Sequence, residues 1–214
     1  MPRTADPETR ERLLDAADRL LARHGFRRMT IEAVAAEAGI GKGSVYLHFR
    51  SKEEVALTCI DRMAEAIAAR LERLAGGRGG ALLRLRAMLR LRVLDRFDYA
   101  RRHARSIDEK LAVMREGLLA RRSRQFAREA ALLSRVVAVG VRSGALRPVR
   151  PERVGRALVE ATNALLPYSL SVRELGRRGA LVRRLDDVVE LLLAGLAQGA
   201  SAPDTHPFFT RRTS

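Results

Sequence analysis

Apolar residues recur along this chain at three- and four-residue intervals, without the strict alternation of a half-buried strand. That is a helical pattern, and glycine, proline and capping residues punctuate it. Asp6-Pro7-Glu8 opens a helix with Leu13, Leu14, Ala17, Leu20 and Leu21 on one face, closed by Gly25. Thr30 caps a second, short helix whose stripe is Ile31, Val34, Ala35 and Ala38. Gly39 then supplies the sharp turn. A third helix is expected from residue 41 or 42 to about 48, with Val45 and Phe49 inward and Lys42, Gly43, Ser44, Tyr46 and His48 outward.

Ser51 and Glu54 form a capping box for a long helix reaching about residue 74. The GGRGG run at 76–80 interrupts it and is the strongest compositional seam. Helical patterning resumes over 81 to about 101, 105 to about 114 and 116 to about 142. Two prolines break the pattern in SGALRPVRP, and two more helices are expected at about 151–175, kinked at Pro167, and about 180–198. The tail from Ala200, with Pro203 and Pro207, is expected to fray. The fold expected is all-α, with a flexible tail over 201–214.

Composition agrees with helix over sheet: aromatic residues are 4% and Trp is absent, while Leu and Ala dominate. The single cysteine, Cys59, excludes an intrachain disulfide framework. The chain opens on charge and proline rather than an apolar leader, and its apolar runs fall short of the ~20 residues of a membrane span. A cytoplasmic protein without membrane contact is expected. Net charge is +16, which invites a polyanion partner, but residues 1–55 hold 10 Lys/Arg against 9 Asp/Glu. Charge therefore does not locate a site. Catalytic signals are missing too. The four histidines lack paired metal-ligand spacing, GGRGG follows a helix rather than a strand, and no nucleophile turn is present. No enzyme activity, cofactor or metal is expected.

Two short helices across a glycine turn, the second with a polar outer face, form a helix-turn-helix suited to phosphates and base edges. RERLLDAADRLLARHGF, TIEAVAAEAGIGKGSVYLHF and RSKEEV together resemble the DNA-binding head of TetR/AcrR-family transcriptional regulators. Leu47 and His48 depart from the aromatic or polar residues the family often has there, so its base preference does not carry over.

The resemblance implies a three-helix head at 1–55 and a helical effector-binding and dimerisation region at 56–200. Thr30, Lys42, Gly43, Ser44, Tyr46, His48 and Lys52 are the expected DNA contacts, with Ser44 and Gly43 nearest base edges. Leu181, Leu185, Val188, Val189, Leu192 and Leu196 form a wide apolar stripe, expected to face a symmetry mate. Met88, Phe97, His103, Met114, Phe126, Asn163 and Tyr168 are candidates for lining a small-molecule pocket. The function expected is a homodimeric repressor released from a palindromic operator by an effector. A basic, low-specificity architectural DNA-binding protein is the alternative.

Overall fold

The computed structural model describes residues 6–104, 115–166 and 176–199. Within them the chain forms eight helices: α1 (Pro7–His24), α2 (Ile31–Ala38), α3 (Lys42–Tyr46), α4 (Lys52–Ala75), α5 (Ala81–Arg102), α6 (Arg115–Arg142), α7 (Pro151–Asn163) and α8 (Arg178–Ala194). The β-pairing among the described residues is one isolated antiparallel bridge, Leu146 with Ala197, which ties the α6–α7 turn to the end of α8. The expected segment at 105–114, the kink at Pro167 and the tail lie outside the described residues.

The first three helices start and stop where their side chains dictate. Asp6 caps α1 by accepting from the amides of Glu8 (3.3 Å) and Thr9 (2.9 Å). Thr30 Oγ1 accepts from Ala33 N at 3.1 Å, and Gly39 ends α2 at φ 64°, ψ 38°, a left-handed conformation that a side chain would strain. The α3 helix stops at Tyr46, two residues short of the expected end, and the Leu47–His48 turn closes through Phe49 N to Val45 O at 3.0 Å. The capping box of α4 is displaced. Ser51 Oγ accepts from Glu54 N at 3.2 Å, but Glu54 Oε2 accepts from Arg50 N at 2.7 Å, one residue ahead of the cap.

Two apolar clusters result. The first gathers Leu13, Leu14, Leu21, Phe26, Met29, Val34, Val45 and Phe49 from α1 to α3 with Val55, Ala56 and Cys59 of α4. The second gathers Ile67 and Leu71 of α4 with buried residues of α5, α6, α7 and α8. A single helix thus serves both. The GGRGG run is no seam in this arrangement, because Leu71 before it and Ala81 and Leu85 after it share the second cluster.

Ion pairs hold α1 to α2 as well. Glu37 accepts from Arg19 Nε at 2.8 Å and from Arg23 Nη2 at 2.6 Å, and these hydrogen bonds draw its carboxyl below the usual range. Arg12 Nη2 donates to Ala38 O at 3.0 Å, satisfying a carbonyl at the open end of α2.

The stripe on α8 corrects one expectation. Leu181, Leu185, Val189 and Leu196 are buried in the second cluster of this chain, with Val188 and Leu192 packed against it. Since α8 spends this stripe on its own protomer, it is not an exposed subunit face. The apolar residue that α8 does present is Leu191, 76% exposed. The width of the stripe is met within the chain by α5 and α7, which both pack against α8.

Candidate nucleic-acid interface

The outward face of α3 is the candidate site, and α1, α2 and α4 hold it. Val45 is buried between Val34 and Phe49, so the five-residue helix is anchored by one central side chain. Rotation about that anchor leaves Lys42, Gly43 and Tyr46 exposed, with Ser44 and His48 half-buried at the edges. Tyr46 and its neighbour Leu47 are each 51% exposed. A Cβ built at Gly43 meets no atom within 4 Å, so packing does not demand glycine there. The open position suits close approach of a ligand to the backbone.

Two cations are already engaged. Lys42 Nζ pairs with Glu32 of α2, which raises the lysine and lowers the carboxyl from their ordinary values, chiefly through their hydrogen bond. Lys52 Nζ stands 4.6 Å from the centre of the Phe26 ring. Thr30 is exposed, and its hydroxyl oxygen is committed as the cap of α2. The structure therefore places Thr30 at the cap of α2, Lys42 at the start of α3 against Glu32 of α2, Gly43, Ser44, Tyr46 and His48 on or at the edge of α3, and Lys52 at the start of α4. Leu47 and Arg50, exposed on the same stretch, were not among the expected contacts.

The model of the family described as bacterial regulatory proteins, tetR family, matches residues 13–59, the segment that builds this site. The head of the chain is that of the TetR family. Over 54 residues it is 44% identical to the uncharacterized HTH-type transcriptional regulator YerO of Bacillus subtilis, an alignment covering 25% of this chain and 19% of YerO. The chain spans 28% of the length of TtgR of Pseudomonas putida, to which it is 34% identical over 58 residues.

Solved structures extend the TetR-like fold over most of the chain. A transcriptional regulator from Cytophaga hutchinsonii superposes with a TM-score of 0.75 at 18% identity, covering 87% of this chain and 97% of the other. SmeT in complex with triclosan superposes with a TM-score of 0.67 at 24% identity, covering 92% and 96%.

The expected pocket residues scatter. Phe126 and Asn163 line one groove of about 870 Å³ between α6 and α7, with Leu119, Ala127, Ala131 and Arg156. Met88 and Phe97 are instead buried in the second cluster, and His103 is buried where α5 meets α1. These three do not line that groove. Met114 and Tyr168 lie outside the described residues.

On the other side of α6, Arg121 donates to Asp61 at 2.8 Å and Arg128 to Glu65 at 2.5 Å. Sequence reasoning missed the charged cluster under the groove. Arg92 and Arg96 are fully buried and both reach Glu129, Arg92 Nε at 2.7 Å. Arg92 also donates to Thr162 Oγ1 and, at 3.0 Å, to Asn163 Oδ1. Both guanidinium groups stand over the Phe126 ring, at 5.4 and 5.6 Å from its centre. The signal was available. Leu85, Met88, Leu89, Arg92 and Arg96 fall at helical spacing on one face of α5, so both arginines share the buried stripe.

Proposed function

We propose that this TetR-family regulator binds a palindromic operator as a homodimer and is released from it by a small-molecule effector. The observation that carries the reading is the outer face of α3. Gly43 and Tyr46 are exposed, with Ser44 half-buried beside them, while Val45 locks the helix to its core. In this reading Ser44 and the backbone at Gly43 approach base edges, while Lys42, Tyr46, His48, Lys52 and Thr30 bind phosphates and set the register. One five-residue helix offers few contacts, so two heads set ~34 Å apart by a two-fold axis supply both affinity and specificity.

The exposed faces of α7 and α8 support a dimer better than the stripe first expected. Ala157 and Ala161 are exposed on α7, and Leu191 is exposed on α8 between Asp187 and Ala194. Small residues permit close helix approach, and an isolated exposed leucine gains by burial. The groove holding Phe126 and Asn163 has the size of a drug-sized ligand site, and SmeT, solved with triclosan, has the same fold. Because α4 belongs to both clusters, an effector that moves its second half also moves the head, and the half-site spacing changes. A full switch of this kind requires about 5.5 kcal/mol of preference for the released state.

A salt titration on specific and random duplexes tests the proposal. Both affinities fall with salt, but the regulator keeps a preference of about a thousandfold or more for one sequence. Equal binding to both duplexes favours a basic architectural protein instead. Against that alternative, Arg70, Arg90, Arg121, Arg128, Arg135 and Arg178 are each engaged with an acid of the same chain.

A further inference from the structure

The joint between the head and the larger cluster is closed by a histidine whose two nitrogens both face oxygen. Asp18 of α1 turns its carboxylate toward α5. Tyr99 Oη donates to Asp18 Oδ1 at 3.3 Å, and His103 Nε2 lies 3.2 Å from the same oxygen. The His103 ring is 1% exposed and stacks on Tyr99 with 4.0 Å between centres. Its Nδ1 is 2.8 Å from the backbone oxygen of Tyr99. A carbonyl only accepts, so Nδ1 carries a proton. A neutral ring has no second proton, and its Nε2 lone pair would then confront a carboxylate. Nε2 is off the line of a good hydrogen bond, so the attraction to Asp18 works through charge. With a second proton the contact is an ion pair, strengthened by burial.

We propose that His103 is a positioning residue for DNA binding: as the imidazolium it clamps Asp18, and with it α1, to α5, and on losing its second proton it frees the head. Charged and titratable groups surround the joint on three helices. They are Asp15 and Asp18 on α1, Cys59 and Arg62 on α4, and Asp95, Asp98, Arg101 and Arg102 beside Tyr99 on α5. Most are engaged elsewhere. Arg62 binds Asp15 at 2.6 Å, Arg70 takes Asp95, and Arg178 binds Asp98 at 2.9 Å. Asp18 is the carboxylate at the histidine. Burial pushes its carboxyl up, but the contact with His103, then Arg62 and the Tyr99 hydroxyl, outweigh this and hold it below the usual range. Among these groups His103 is the one whose contact with Asp18 depends on a second ring proton, so the clamp answers to pH through that proton. A head held in one setting has less freedom to lose on binding two half-sites, so releasing it weakens operator affinity.

The last step rests on the proposed operator binding; the clamp itself does not. Nitrogen NMR of the full-length protein at about pH 7 reads the protonation of His24, His48, His103 and His206 directly. His103, assigned by its loss in His103→Gln, is expected to show an imidazolium signature that Asp18→Asn converts to the neutral one. A neutral His103 in the wild-type protein overturns the clamp, and this readout needs no DNA. For the functional step, Kd for a selected palindrome is measured from about pH 6 to pH 8. The wild-type Kd is expected to rise about three- to tenfold, and that of Asp18→Asn by less than about twofold. His48 faces the duplex in both proteins, so its own contribution cancels. Asp18→Glu, which keeps the charge, restores the wild-type slope. Parallel profiles in wild type and Asp18→Asn overturn the functional step, whereas failure of both to bind any duplex overturns the operator reading and leaves the spectrum to decide the clamp.

Discussion

Arg121 of α6 donates to Asp61 of α4 at 2.8 Å, and it is the first rung of a ladder between these helices. Arg128 meets Glu65 at 2.5 Å and Arg135 meets Glu72 at 3.1 Å. The arginines recur every seven residues, and both partners advance in the same direction, so α4 and α6 run parallel. On another side of α4, Arg62 binds Asp15 of α1. The helix that spans both clusters is thus gripped by charge from the head and from the body.

The ladder is half-exposed, so it steers α4 more than it stabilises the chain. Replacing Asp61, Glu65 and Glu72 by their amides is expected to cost less than about 1 kcal/mol per pair. Thermal unfolding of the triple variant checks this. Its deficit should vanish in about 1 M salt, where exposed pairs are screened.

Glu129 behaves differently because it is buried between two guanidinium groups. Glu129→Ala leaves Arg92 and Arg96 in the core without this carboxylate and is expected to destabilise by about 3–5 kcal/mol. Glu129→Gln keeps an acceptor and should cost less. Chemical denaturation of both variants gives the comparison.

Gly155 marks the crossing of α6 and α7. A Cβ there would sit 2.5 Å from Ala130 O and 2.9 Å from Ser134 N, both backbone atoms. Gly155→Ala is therefore expected to destabilise by about 1–3 kcal/mol, although alanine is the better helix former. Gly43→Ala, where nothing lies within 4 Å, is the control and should leave the unfolding midpoint unchanged or raised.

Lys42 and Glu32 compete with DNA for each other. Lys42→Ala is expected to weaken operator binding and lower the salt slope by about 1 per half-site. Glu32→Gln releases the lysine and should tighten binding to any duplex. Fluorescence anisotropy over a salt series separates the two.

Much of the head was legible because its signals act within a few residues. Thr30, Gly39 and Ser51 each set a helix end through a local amide or a local backbone angle, and Val45 needed only the helical period. The body was legible as helices but not as an assembly. Nothing local says whether the Leu185 face meets α5 of its own chain or a second copy, and only the packing decides it. The helical period puts Arg92 and Arg96 on the buried stripe of α5 but does not name their partner, Glu129, which lies 33 to 37 residues later. The Asp18–His103 contact joins residues still farther apart. Periodicity shows which face is buried, but not which distant residue meets it.

Selection of the purified full-length protein on randomised duplex DNA, beside Tyr46→Ala, tests the central claim most directly. Two-fold symmetric enrichment in the wild type, lost or sharply reduced in Tyr46→Ala, is the predicted result and assigns both the head and the dimer. Equal, unselective binding by the two proteins would contradict it and move the contacts away from α3.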